Sequence, residues 1–323
     1  MNRDSSDHDR YRPGPHRVAL LAAAFTFPLL FVGGSVTSFG VGMAVPDWPT
    51  TFGMNMFLYN FWNEPFGVKL EHTHRLYGAA VGLATVVLAA WLLAFDRRRF
   101  MKALGVVALL AVIAQGVMGG LRVERISTAF AAAHGVFGQA FFGMMVALCV
   151  LTGRVWHDPA RPTADPARLR ASAVVMLALV YGQVIVGAWF RHFGTAAALW
   201  THLALAAAVW GHAGFVFTRV ARRKAVVPAL WPSARALGVA VTLQVVLGVA
   251  ALWLMLPLGG NPRTPTLWQA MTRTAHQTNG ALLLAAAVVL TLRAFRHLAP
   301  SAAPPPSPPA RPEPASRTME VVA

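Results

Sequence analysis

The chain has 323 residues, of which 56% are hydrophobic and only 12% charged, and its mean hydropathy is +0.52. A soluble chain would carry about 25% charged residues, so the composition excludes an ordinary soluble domain. The net charge is +16, but 21 of the 28 Lys and Arg residues fall in the two tails and in alternate loops between apolar runs. This alternation follows the positive-inside rule. It therefore predicts that both termini are cytoplasmic, and it argues against nucleic acid as a partner.

About eight apolar runs of roughly 20 residues are long enough to cross a bilayer as helices. The predicted fold class is therefore an all-α integral membrane protein. The predicted spans are 17–39, 74–95, 101–121, 130–152, 171–190, 197–218, 235–257 and 274–296.

An internal repeat divides the spans into two sets of four. The pattern Gln-Val-x-x-Gly begins at Gln183 and at Gln244, with a looser copy at Gln115, and the steps Gln115–His134 and Gln183–His202 are both 19 residues. Units of four helices share one orientation, so a pseudo-two-fold axis along the membrane normal is expected to relate them. The predicted divisions are a cytoplasmic tail 1–16, an N-terminal unit 17–152, a cytoplasmic linker 153–170, a C-terminal unit 171–297 and a disordered Pro-rich tail 298–323.

One histidine lies near the predicted outer start of each even-numbered span. These are His74, His134, His202 and His276, each preceded by Thr or Ala. Two imidazoles on neighbouring helices can hold a cofactor in the core of a helix bundle. A histidine near a helix end is also a common interfacial residue, but four at matched depth favour a metal or haem. Haem is favoured over zinc because no cysteine or carboxylate cluster accompanies the pairs.

Glu71 is the singular acid of this region. It lies one turn before His74 in the predicted first outer loop, beside His72, whereas Ala198 stands one turn before His202. A carboxylate here can serve a helix dipole, but an ionisable group at the edge of a membrane cofactor site is a candidate for function. The asymmetry suggests one catalytic site and one supporting site.

Two arginines end odd-numbered spans on the predicted outer side, Arg122 and Arg191. Arginine binds paired carboxylates such as haem propionates in a bidentate manner. An interfacial arginine whose aliphatic stem covers apolar surface is the equally open alternative.

Taken together, these residues resemble the haem A synthase family from about Gly33 to Leu290. The matching segments are Gly42-Met43-Ala44-Val45-Pro46-Asp47-Trp48-Pro49, Glu71-His72-Thr73-His74-Arg75-Leu76-Tyr77-Gly78, Gly119-Gly120-Leu121-Arg122-Val123, Ala133-His134-Gly135, Thr201-His202 and Thr274-Ala275-His276-Gln277. Some relatives carry a cysteine pair in the first outer loop. This chain has Val45 and Thr51 in that region, so a thiol-based electron relay is excluded there.

The resemblance implies an eight-helix membrane oxidoreductase that converts a methyl group of haem O to the formyl group of haem A. It implies that His74 and His134 hold the substrate haem, that His202 and His276 hold a haem b, and that Glu71 is catalytic. Arg75, next to His74 in the same motif, is counted with Arg122 and Arg191 as cofactor-binding.

The implied location is a bacterial plasma membrane, with the haem ligands towards the outer face. Haem O is the expected substrate, and candidate partners are haem O synthase, cytochrome oxidase assembly factors, a membrane electron acceptor and a second copy of the chain.

Three other functions are alternatives for a multi-pass membrane protein. A non-enzymatic dihaem b-type cytochrome exchanging electrons with quinone would use all four histidines and would not need Glu71. A transporter would need polar or broken segments at mid-membrane, and the centres of these spans are apolar. A prenyltransferase would need Asp-rich loop motifs, which the sequence lacks.

Overall fold

Long helices make up most of the structure, a computed structural model that describes residues 11–158, 160–165, 168–255 and 265–300. Eight of these helices are long and apolar enough to cross a membrane. The predicted all-helical, multi-pass fold is therefore confirmed for the described residues. The long helices are α1 Pro13–Ser38, α2 Phe66–Phe95, α3 Arg99–Glu124, α4 Thr128–Thr152, α6 Leu169–Phe193, α7 Ala196–Ala221, α8 Trp231–Met255 and α9 Leu267–His297, and a short α5 spans Arg154–His157.

The remaining regular elements are small. A 3-10 turn, Pro228–Leu230, leads into α8, and strand β1, Thr163–Ala164, pairs in parallel with β2, Leu298–Ala299. Most of the predicted tails 1–16 and 298–323 lies outside the described residues.

Two helices begin well before their predicted starts. Helix α2 begins at Phe66 rather than 74, and α9 begins at Leu267 rather than 274. The polar residues that weakened the apolar signal, Glu71, His72 and Thr274, are all buried against other parts of the chain. Glu71 and Thr274 are hydrogen-bonded to other parts of the chain, and Nδ1 of His72 contacts the Thr51 hydroxyl, so the helices continue through these residues. His72, predicted in a loop, therefore lies inside α2.

Each set of four helices packs into a closed ring. In the first set α1 packs on α2, α2 on α3, α3 on α4, and α4 returns to α1; α6 to α9 repeat this order. Helix α9 is central, because it also packs against α1 and α4, and α4 packs against α6. The boundaries of the two units and the axis between them stay predictions.

Buried polar groups join the two sets. The Thr274 hydroxyl donates to Ser38 Oγ at 2.9 Å, and the Gln139 amide donates to the Gln277 carbonyl at 3.2 Å. Arg191 of α6 donates to Ser38 Oγ and to the Gly34 carbonyl, both at 2.8 Å. Hydrogen bonds inside an apolar bundle fix the helices in register, since an unpaired polar group would be costly there.

We expect Thr274→Val to lower the free energy of unfolding by about 1 kcal/mol, because it removes this hydrogen bond while preserving volume. The melting temperature in detergent should fall by a few degrees. The matched control is Thr242→Val, since the exposed Thr242 hydroxyl donates only within its own helix, to the Gly238 carbonyl. Equal shifts for the two variants would contradict a role for Thr274 in joining the helices.

Candidate cofactor-binding site

The four predicted histidines lie at similar depths in α2, α4, α7 and α9. Each follows the first residue of its helix by six to nine positions. At 1.5 Å per residue, this places them about 9–14 Å along the helix axes. The apolar spans thus carry all four imidazoles towards the same end of the bundle.

The histidines form two pairs of nearly equal geometry. The ring centres of His74 and His134 are 6.2 Å apart with an interplanar angle of 86°, and those of His202 and His276 are 6.2 Å apart at 76°. Two metal–imidazole bonds of about 2.0–2.1 Å in line place the nitrogens about 4 Å apart and the ring centres about 6 Å apart. The spacing fits one metal ion between two axial imidazoles.

The number of protein ligands separates haem from zinc. Among the described residues, no cluster of three or more His, Cys, Asp or Glu side chains could hold a metal ion. A structural zinc site needs four such ligands and a catalytic one needs three. Haem iron needs only axial ligands, because the porphyrin supplies the other four. The two pairs therefore fit haem.

Each imidazole packs against a glycine on the preceding helix. A Cβ built on each of these glycines would lie 2.6–3.3 Å from Cε1 of the facing ring, closer than ordinary contact. Any larger residue would displace the ring. The contacts are Gly33 with His74, Gly119 with His134, Gly187 with His202 and Gly248 with His276.

Packing against the glycine also places each ring close to the backbone of that helix. Nδ1 of all four rings is buried and lacks a hydrogen bond of good geometry among the described residues. The backbone carbonyl four positions before the glycine faces three of the rings, namely Leu29 for His74, Gln115 for His134 and Gln244 for His276. A metal-bound imidazole commonly donates its second ring N–H to such a carbonyl. These orphaned atoms therefore also fit axial ligation.

The Gln-x-x-x-Gly repeat in the sequence now has a physical basis. Gln183 and Gln244 each place Nε2 3.4 Å from Nε2 of their histidine, His202 and His276, and Gln183 also donates to the His202 carbonyl at 2.9 Å. At the position four residues before the glycine, α1 carries Leu29, whereas α3, α6 and α8 carry Gln. Gly33 could not be recognised from the Gln pattern for this reason, although its four-residue step from Leu29 matches the other copies.

Glu71 is buried, with 3% of its surface exposed, and both carboxylate oxygens are engaged. Oε2 accepts from the Val45 backbone N–H at 3.0 Å, and Oε1 pairs with Arg75 Nη2 at 3.1 Å. Glu71 thus joins α2 to the segment of residues 39–65, which we call the outer loop. Its catalytic role stays a prediction.

Arg75 anchors the outer loop. Its guanidinium donates to the backbone carbonyls of Val45, Asp47 and Thr50 at 2.6–2.9 Å. The other two predicted cofactor-binding arginines also contact α1 or its following loop. Arg122 donates to the Gly42 carbonyl at 3.1 Å, and Arg191 bonds to α1 as described above. Binding of carboxylates by all three stays a prediction.

Asp47 shapes the turn at the centre of the outer loop. Its carboxylate accepts hydrogen bonds from the Thr50 hydroxyl and from the backbone N–H groups of Phe52 and Gly53. Desolvation raises the pKa of Asp47, but these hydrogen bonds outweigh it and hold the pKa below its ordinary value. The ionised Asp47 therefore stabilises the turn fully when the pH is above the ordinary pKa of an aspartate. This stabilisation is lost as the pH falls through the lowered pKa of Asp47.

His72 is a site residue that the sequence pattern alone does not single out. It is fully buried, its Nδ1 lies 3.2 Å from the Thr51 hydroxyl, and the rings of Tyr59 and Phe61 pack against it. Trp48 reaches further, over Gly120 of α3. These contacts hold the outer loop over the end of α2 and α3. By contrast, only Gly194 and Thr195 join α6 to α7.

The fold and the site together define a class: a multi-pass helical membrane protein with two imidazole pairs that fit axial ligation. A family model described as cytochrome oxidase assembly protein, COX15-CtaA, matches residues 16–204. The chain therefore belongs to this family, and the resemblance to haem A synthases is confirmed. The matched region includes Glu71, His74, His134 and His202 and ends before His276.

One relative is a protein of Shouchella clausii (strain KSM-K16) named "Heme A synthase". It is 27% identical over 195 residues, which are 57% of this chain and 62% of the relative. The chain thus matches less than two thirds of the length of this relative.

We expect Arg75→Gln to release the outer loop, because three carbonyls and the Glu71 carboxylate lose a charged donor. A cost of about 2 kcal/mol would make the open loop roughly 30-fold more populated. Limited proteolysis should then cut within residues 39–65 faster by that factor. Lys69→Gln, a charge removal in the first turn of the same helix, is the control. Unchanged cleavage of the Arg75 variant would show that the loop is held elsewhere.

Proposed function

We propose that the protein is a haem A synthase. It oxidises a ring methyl of haem O to the formyl group of haem A, in the biosynthesis of haem A for cytochrome oxidase. The observation that carries the proposal is the pair of equal imidazole sites, of which only the first lies beside Glu71 and the outer loop. Family membership supports the same reading.

The asymmetry suggests how the sites divide the work. His74 and His134, on α2 and α4, hold the substrate haem, while His202 and His276, on α7 and α9, hold a permanent haem b. Glu71 lies one turn before His74, and the outer loop joins α1 to α2. A related unit that keeps the ligands but lacks the acid and the loop is suited to binding a haem without transforming it.

Conversion of the methyl group to the formyl group releases four electrons and four protons, two protons from the methyl carbon and two from the water that supplies the oxygen. A first two-electron oxidation with capture of water forms an alcohol, and a second forms a hydrate that loses water to become the aldehyde. Haem b, when bound, supplies a one-electron carrier between the substrate and a membrane electron acceptor.

The protein residues prepare the methyl group for this chemistry. The two imidazoles orient the substrate, and the outer loop limits the approach of water to that end of the bundle. Glu71 stabilises the positive charge that develops as electrons leave, or accepts the released proton at a carboxylate oxygen. Arg75 holds this carboxylate in place at 3.1 Å.

Arg122 is the best placed of the arginines to meet a haem propionate. It is positioned near both rings of the first pair and makes one hydrogen bond to the Gly42 carbonyl. Arg191 keeps a buried Nε without a partner among the described residues, so it retains a free donor. Arg75 contributes mainly by anchoring the outer loop.

The proposed setting follows from the charge pattern. The termini face the cytoplasm of a bacterial cell, and the histidine-bearing end of the bundle faces outward in the plasma membrane. Haem O synthase, oxidase assembly factors, a membrane electron acceptor and a second copy of the chain are the proposed partners. A pseudo-two-fold axis along the membrane normal relates the two units.

The alternative is a dihaem cytochrome that exchanges electrons with quinone. The equal separation of 6.2 Å in both pairs would suit it. A simple electron carrier, however, has no need of a buried acid in one unit only, and the family favours the synthase.

We expect Glu71→Gln to retain haem but to lower conversion of haem O by at least about 100-fold, because it keeps the shape and removes the charge. The protein is expressed in a bacterial membrane with a haem O supply and an electron acceptor, and the extracted haems are separated with mass detection. Glu64→Gln, which alters the outer-loop acid bonded to Tyr59, is the matched control. Full conversion by the Glu71 variant would rule out the proposed role.

We expect His276→Ala to abolish the low-spin haem b spectrum, because one axial ligand is lost. His212→Ala is the control, since His212 contacts the Ser172 carbonyl at 2.9 Å and lies ten residues beyond His202 on α7. Optical and electron paramagnetic resonance spectra of the purified proteins measure the ligation. An unchanged bis-imidazole signature in the His276 variant would disprove the assignment of the second pair.

A further inference from the structure

The outer loop presents apolar side chains on its surface. Leu58 is 78% exposed, Trp62 73% and Phe57 67%. These values match those of membrane-span residues such as Leu83, at 67%, and Val239, at 70%. Contiguous exposed apolar residues on a loop mark a surface that contacts something other than water.

Several polar side chains of the same loop form hydrogen bonds within the loop itself. The Asn55 and Asn60 side chains accept from the backbone N–H groups of Phe57 and Trp62, and Glu64 accepts from the Tyr59 hydroxyl at 2.6 Å. This bond raises the pKa of Tyr59 to about 12. Asp47 is likewise engaged within its own turn. Residues 39–65 include no Lys or Arg, so the surface carries almost no free charge.

The position of the loop identifies its surroundings. Its last residue is followed directly by Phe66, the first residue of α2, which is 57% exposed and packs edge-on against Phe39 at 5.0 Å. Helix α2 has 30 residues, or about 45 Å, which is the thickness of a bilayer including both headgroup regions. Phe66 therefore lies at the level of the lipid headgroups, where aromatic residues concentrate.

We propose that the outer loop lies in the membrane interface, with Met54, Phe57, Leu58 and Trp62 inserted among lipid headgroups and the adjoining acyl chains. Polar groups near the hydrocarbon region need hydrogen-bond partners, and the internal hydrogen bonds of the loop provide them. The apolar surface of the loop is continuous with that of α2. The inference is independent of the haem chemistry, because it rests only on the surface and position of the loop.

Spin labels test this placement in the full chain. The only cysteine, Cys149, is replaced by Ala, and single cysteines are introduced at Leu58 and Trp62. Leu83 provides the lipid reference, and the exposed Arg161 provides the aqueous one. The labelled proteins are reconstituted in phosphatidylcholine vesicles, and accessibility to oxygen and to a water-soluble nickel chelate is measured by power saturation.

We expect the Leu58 and Trp62 labels to be more accessible to oxygen and less accessible to nickel than the Arg161 label, with values between those of Arg161 and Leu83, because Leu83 lies deeper in the bilayer. Accessibility to nickel equal to that of Arg161 would overturn the proposal by placing the loop in water. Protection from both reagents would overturn it in favour of a protein partner or a second copy.

Trp62→Phe provides a second measurement without a label. The difference in tryptophan emission between the unchanged protein and this variant is the contribution of Trp62. Brominated lipid in the vesicles should quench this contribution. Failure to quench it would also overturn the proposal.

Discussion

The close approach of each imidazole to a glycine is the contact on which the site depends. Four helices bring a ring against the backbone of the preceding helix, and a Cβ at the glycine would lie only 2.6–3.3 Å from Cε1 of the ring. The packing fixes the direction of each ring, and it brings three of the four rings to a backbone carbonyl. In each pair the rings held in this manner have their centres 6.2 Å apart and meet edge to face.

The outer loop makes the two sites unequal. Arg75, Glu71 and His72 all lie on α2 and all bond to the loop, so one helix carries both a histidine ligand and the anchor of the loop. The second unit joins its corresponding helices through two residues only. The first histidine pair thus lies beside a buried acid and a folded loop, whereas the short α6–α7 connection provides neither to the second pair. The proposed division between a substrate haem and a permanent haem b rests on this difference.

Several features of the site could be predicted from sequence because they follow from local pattern. The alternation of apolar runs and basic loops predicts the spans, and one histidine near the start of each even span predicts the ligands. The starts of α2 and α9 were predicted seven or eight residues too late. Hydropathy treats Glu71, His72 and Thr274 as residues that require water, whereas the fold buries them with partners.

The sequence by itself determined the class of the protein, the number of its spans and the candidate ligands, since a bilayer demands long apolar helices and histidines are few. Only the tertiary structure decided the spacing within each histidine pair, which glycines pack against the rings, and that Glu71 and Arg75 hold the outer loop. These contacts join Gly33 to His74, Val45 to Glu71 and Ser38 to Thr274. Such separations carry no periodic signal, because they depend on how whole helices pack.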